Sequence, residues 1–177
     1  MSLSLCLLGE GPKITGIDIP RRFYWVLKPP AAPLAGMPYP INSTPWANIW
    51  QAGFRHVVNL YESTPKYDPA PLSILYSAEL RDLVDGGQPH DPQHEEDLIR
   101  KAVKDIAKKL SFGEGVVIHC WGGRGRTGTV IGCLLRTLGF TSADIISYLN
   151  ELHIAREKSE GWPESSWQAQ LVQRFLE

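Results

Sequence analysis

Val116-Val117-Ile118-His119-Cys120-Trp121-Gly122-Gly123-Arg124-Gly125-Arg126-Thr127-Gly128 is the stretch whose reading decides the fold. The β-branched run from Val116 to Ile118 suits a buried strand, and the apolar pattern from Thr129 to Leu138 suits a helix. Between them lies a glycine-rich loop that holds Cys120 and Arg126 with five residues between them. The first amides of a helix have no partner within it, and its dipole is positive at that end. A loop folded over that terminus therefore cradles a tetrahedral anion.

The residue types fit that task. Gly122, Gly123 and Gly125 let the backbone turn its N–H groups inward. Arg126 can give two parallel charge-assisted hydrogen bonds to an oxyanion, which a lysine cannot reproduce. Cys120 sits below, where the positive field favours its thiolate, and a thiolate under a bound phosphoryl group is an in-line nucleophile. Thr127 can hydrogen-bond the sulfur and ease its departure. His119 is expected to brace the loop rather than to carry protons.

Working outward, a helical pattern precedes the central strand. Leu98, Ala102, Ile106 and Leu110 recur at four-residue spacing from Pro92 onward, and Glu95, Glu96, Lys101, Lys104 and Lys108 are expected on a solvated face. Arg55 to Leu60 reads as a further strand, Ala78 to Val84 as another, and Arg22 to Leu27 as an early one. A helix is expected to start at Pro45 and to end at Gly53, and another to start at Ser142. Helices between consecutive strands imply crossover connections. The fold class expected is thus α/β, with a central, mainly parallel sheet flanked by helices on both faces.

The chain is 177 residues long and 43% hydrophobic, enough for one well-buried domain, so residues 1–177 read as a single unit. Residues 1–42 read as a proline-rich arm with short strands packed on it, and Gly36 to Pro40 as a turn-prone entry. A formal net charge of -1 gives no basic field for nucleic acid or an anionic membrane surface. Leu3 to Leu8 is too short to span a bilayer and has no basic flank of an export signal. Three cysteines make no disulfide framework, and a nucleophilic thiol needs reduction, so a cytoplasmic location and a monomer are expected.

The run His119-Cys120-x-x-Gly123-x-x-Arg126-Thr127-Gly128 resembles the H-C-x-x-G-x-x-R-[ST]-G signature of cysteine-dependent protein tyrosine and dual-specificity phosphatases, with every fixed position matched. The phrase Ala52-Gly53-Phe54-Arg55-His56-Val57-Val58-Asn59-Leu60 is similar to a strand that lies beside the catalytic strand in that family. The resemblance implies hydrolysis of phosphomonoesters through a cysteinyl phosphate, without metal or cofactor. It implies a phosphorylated protein or a small phosphomonoester as substrate. The phosphate would lie against Trp121, Gly122, Gly123, Arg124, Gly125 and Arg126.

Expulsion of an alkoxide or phenoxide calls for a carboxylic acid on a nearby loop. In the family this acid lies some thirty-odd residues before the cysteine. Asp85, thirty-five residues before Cys120 and followed by a glycine pair that can hinge, is the first choice, with Asp82 and Asp91 as rivals. Asp82 falls within the expected strand, and Asp91 before Pro92 suits a helix N-cap. By resemblance, Gln168 would orient the hydrolytic water, with Gln170 as fallback. Arg124 stands where most such protein phosphatases carry an apolar residue. It is either a substrate contact, similar to lipid phosphatases that accept highly anionic head groups, or a solvent-facing residue. Inositol phosphates, phosphoinositides, RNA 5′ ends and a non-catalytic phosphate-binding module stay open as alternatives.

Overall fold

The computed structural model describes residues 3–176. Five strands form one sheet: β1 (Tyr24–Leu27), β2 (Leu34–Met37), β3 (Phe54–Asn59), β4 (Ser73–Ser77) and β5 (Gly115–His119). Their order is β1-β2-β5-β3-β4, parallel throughout except for the antiparallel β1–β2 hairpin at one edge. Five helices accompany them: α1 (Trp46–Gln51), α2 (Pro92–Ser111), α3 (Gly125–Thr137), α4 (Ser142–Glu157) and α5 (Ser166–Arg174).

The alternation of a strand's side chains sorts the core into two layers. Val116 and Ile118 of β5, with Val58 of β3 and Leu34 of β2, face α2, α3, α4 and α5. Val117, Val57, Ala35 and Met37 point the other way, onto Phe23, Trp25, Phe54 and Ile49 of α1. Both faces of the sheet are thus covered, by four helices on one side and by α1 with the N-terminal segment on the other. β5 is central, which puts its C-terminal end and the following loop in the crevice where open α/β sheets bind ligands.

Three expectations are corrected. The strand expected at 78–84 lies five residues earlier, at Ser73–Ser77, because the pairing surface on β3 is filled by Ile74 and Tyr76. Ala78 and Leu80 still donate to the Asn59 and Leu60 carbonyls at 3.0 and 3.3 Å, outside the regular strand, and the chain then turns over the C-terminal edge of the sheet. Leu34–Met37, not expected as a strand, pairs with both β1 and β5, so Gly36 and Met37 belong to the sheet rather than to a turn-prone entry. Gly36 permits this, since a Cβ there would lie 2.2 Å from the Tyr24 ring.

The solvated face expected of α2 is also interrupted. Glu95 and Glu96 are buried, Glu96 between Arg100 and Arg174 at 2.7 and 2.6 Å and Glu95 against the backbone N–H of Arg81 at 2.5 Å. Asp91 does cap this helix, accepting from the N–H of His94 at 3.0 Å.

Candidate active site

Cys120 directly follows β5 and is 2% exposed, yet it lines a cavity of ≈ 270 Å³ together with Asp82, Trp121, Gly122, Arg124, Gly125, Arg126 and Glu164. Its backbone sits at the floor of a loop whose amides, from Trp121 to Thr127, donate to no other described group. These are the unpaired donors expected where a loop runs into a helix N-terminus, here that of α3. Gly123 has φ +72°, and a Cβ on it would stand 2.5 Å from the Met37 carbonyl, so glycine is needed both for the turn and for the closeness of β2.

Two side chains that the sequence reading passed over hold this loop from behind. The Tyr24 hydroxyl donates to the Gly123 carbonyl at 2.6 Å, and Arg156 Nη1 donates to the same oxygen at 3.3 Å. With that carbonyl pulled toward β1 and α4, the Gly123 peptide is fixed in orientation. The hint available in sequence was Arg156 at the end of an otherwise apolar helical stripe, a place where a buried arginine must find acceptors.

His119 is fully buried. Its Nδ1 lies 3.0 Å from the Cys120 carbonyl and its Nε2 lies 2.5 Å from the Tyr67 hydroxyl. A carbonyl can only accept, so Nδ1 carries the proton and Tyr67 donates to Nε2. Burial pushes the imidazole pKa down to about 4, against the pull of the Cys120 carbonyl, so at neutral pH it is an uncharged brace.

Arg126 is 8% exposed, with Nη2 3.1 Å from Asp82 Oδ2 and its guanidinium carbon 5.6 Å from the centre of the Tyr61 ring. Asp82 therefore belongs to the cavity. Asp85, by contrast, lies in the turn that follows and lines neither of the two cavities that Arg126 borders. The reason is the displaced strand. With β4 ending at Ser77, the chain crosses the cleft at Leu80 to Leu83, buries Leu80 and Leu83, and carries Asp82 over Arg126 before it reaches Asp85.

The remaining expected site residues divide. Thr127 Oγ1 is buried and has no partner among the described residues, so its hydroxyl proton is available to a group in the cradle. Gln168 is 1% exposed and uses its Oε1 to accept from the N–H groups of Glu164 and Ser165 at 2.8 and 3.3 Å. It closes the N-terminus of α5 by accepting from the backbone ahead of it and does not line the cavity, and neither does Gln170.

Arg124 is neither a free rim cation nor a solvent-facing residue. It is 8% exposed and pairs with Glu164 at 3.0 Å, Glu160 at 3.3 Å and Glu157 at 3.5 Å. Its charge is spent on fastening the segment after α4 to the loop. Burial pushes the Glu164 carboxyl up, and Arg124 pulls it back.

A family model described as the Swiss Army Knife protein, DSP-PTPase phosphatase domain (PTP-SAK), matches residues 20–161. The chain belongs to this family. The protein named tyrosine phosphatase 067L of Invertebrate iridescent virus 3 is 32% identical to this PTP-SAK domain over 103 residues, 53% of the chain and 42% of the viral protein. The chain thus spans about two fifths of the length of that relative.

Among solved structures, kinase-associated phosphatase superposes on the PTP-SAK domain with a TM-score of 0.59 at 14% identity, covering 90% of this chain and 96% of that one. The catalytic core of the PP-IP phosphatase Siw14 from S. cerevisiae gives a TM-score of 0.56 at 16% identity, covering 79% of each chain. Both likenesses are of fold.

Proposed function

We propose that this domain hydrolyses protein phosphotyrosine and related phosphomonoesters through a cysteinyl-phosphate intermediate. One observation carries the reading: Cys120, Arg126, Asp82 and a run of unengaged loop amides converge on a single cavity. The thiolate of Cys120 attacks phosphorus, the ester P–O bond breaks with its electron pair passing to the leaving oxygen, and the Asp82 carboxyl protonates that oxygen. Loop amides and Arg126 hold the three equatorial oxygens throughout. A water then attacks phosphorus and gives its proton to the Asp82 carboxylate. The P–S bond breaks, Thr127 eases departure of the thiolate, and inorganic phosphate leaves.

Asp82 takes the acid role that its residue type and cleft position support, in place of Asp85. A phosphotyrosyl ring entering the cleft meets exposed Trp121, whose indole lies 5.3 Å from Tyr61 and 5.7 Å from Tyr39, centre to centre. The lipid-directed reading drew on Arg124, whose charge is neutralised by three carboxylates. A thiolate nucleophile works only while reduced, so we place the domain in the cytoplasm, acting as a monomer on phosphorylated proteins.

The test is turnover of p-nitrophenyl phosphate and of a phosphotyrosyl peptide. Cys120→Ser should abolish both. Asp82→Asn should lower kcat on the peptide by ~100-fold or more, and Asp85→Asn by less than threefold. An Asp85 variant as inactive as the Asp82 variant overturns the acid assignment. Undiminished turnover by Cys120→Ser overturns the mechanism.

A further inference from the structure

Beside the reaction cleft lies a larger groove of ≈ 830 Å³, and Trp121, Gly122 and Glu157 line both, so the two are continuous. One wall is cationic. Arg21 and Lys158 are exposed and Arg22 half-buried, and no side-chain hydrogen bond or ion pair engages any of the three among the described residues. Another part of the wall is apolar, formed by Tyr39, Pro40 and Ile41, the last 57% exposed. The one carboxylate in the groove, Glu157, is already committed to Arg124.

This cationic wall is held in place. Buried Arg156, which anchors the Gly123 carbonyl, also donates from Nε to the Pro20 carbonyl at 3.1 Å and from Nη2 to the Arg21 carbonyl at 3.0 Å. The Arg22 N–H bonds the Asp18 carbonyl at 2.8 Å. The turn bearing Arg21 and Arg22 is therefore tied through one guanidinium to the phosphate loop. Lys158 follows as the left-handed C-cap of α4, φ +59°, its N–H bonded to Ile154.

We propose that this groove is a substrate subsite that selects phosphopeptides carrying an anionic group, a carboxylate or a second phosphoryl, beside the scissile residue. The proposal rests on Cys120 acting as the nucleophile in the adjoining cleft. A peptide backbone and its apolar side chains suit the Tyr39, Pro40 and Ile41 wall, while anionic side chains meet Arg21, Arg22 and Lys158. A compact inositol phosphate would satisfy the cations and leave the apolar wall without a partner. Exposed ion pairs are individually weak, so three cations acting on one or two anions amount to a preference of roughly three- to tenfold.

The experiment compares kcat/KM for phosphotyrosyl peptides with Glu at flanking positions, with a second phosphorylated residue, and with Ala throughout. The wild type should prefer both anionic sets by about fivefold or more at low salt and lose the preference as salt rises. In Arg21→Glu/Arg22→Glu and, separately, Lys158→Glu, the ratio of acidic to neutral peptide should fall toward or below one. Preference for only one anionic set identifies which anion is the ligand and supports the subsite.

Equal rates on all peptides, a ratio unchanged in both charge reversals, or a higher kcat/KM on soluble inositol phosphates than on acidic peptides overturns it. Absence of turnover on p-nitrophenyl phosphate and on every peptide would instead sink the nucleophile assignment. The subsite is then judged from the same ratios measured by fluorescence anisotropy of labelled phosphopeptides.

Discussion

His119 illustrates how a residue adjacent to the proposed nucleophile braces its backbone as an uncharged group. Neutral, it donates to the Cys120 carbonyl and accepts from Tyr67, and a proton on Nε2 would reverse the second bond and place a charge in a closed, desolvated space. The unfolded chain takes up that proton near pH 6.5, and the folded one resists it until about pH 4. Stability from this residue is complete above pH 6.5 and is lost as pH falls toward 4. The difference corresponds to roughly 3 kcal/mol across that window. Urea unfolding of the wild type and of His119→Asn from pH 4.5 to 7.5 reads it directly. The wild type should lose more unfolding free energy on acidification than the variant, and parallel curves would refute the buried neutral imidazole.

Among the elements, α2 does more than cover the sheet. Its N-cap is Asp91, and one turn later Glu95 turns inward to accept the Arg81 N–H beside Asp82. The segment that carries the proposed acid is held on one side by the Leu80 N–H on the Leu60 carbonyl and by Arg126, and this bond tethers it from the other side. Burial pushes the Glu95 carboxyl up, and the Arg81 amide only partly offsets it. Glu95→Ala should lower kcat on a phosphotyrosyl peptide by about five- to tenfold with KM little changed, a loss of about 1 kcal/mol of positioning. Glu95→Gln keeps an acceptor oxygen and should restore most of it. Equal loss in both variants would mean that the charge rather than the tether matters.

At the scale of the whole molecule, the sheet edge and the phosphate loop are one mechanical unit. Tyr24 of β1 crosses β2 above Gly36 and ends on the Gly123 carbonyl, and Arg156 lies 4.3 Å over its ring. Gly36→Ala would put a Cβ within 2.2 Å of that hydroxyl, displacing the ring, and should cost about 2 kcal/mol of stability. Tyr24→Phe removes the hydrogen bond alone. It should cost about 1 kcal/mol and weaken vanadate inhibition severalfold, since the Gly123 peptide then depends on Arg156. Thermal unfolding and vanadate titration check the pair. Unaltered vanadate affinity in Tyr24→Phe would show that the loop holds its shape without the edge hairpin.

How much of this was legible beforehand follows the range of each interaction. Local signals carried the central strand, the loop glycines, α2 with its Asp91 cap, and the meeting of Cys120 with Arg126, because five residues at a strand-to-helix turn leave little freedom. The strand β2 escaped notice because Leu34 to Met37 is short, contains a glycine and gains its identity from two neighbours far along the chain. Arg124 looked like a rim cation until α4 and the segment after it brought three carboxylates onto it. Gln168 looked like a water-orienting group until its carbonyl was found closing the α5 cap.

By itself, then, the sequence determined an α/β sheet with an anion cradle at the end of its central strand, since hydrophobic period and backbone freedom act over a few residues. Only the tertiary structure decided which aspartate faces Arg126, what neutralises Arg124 and which cations flank the cleft. Those depend on where loops cross the sheet, and that is set by packing between residues tens of positions apart.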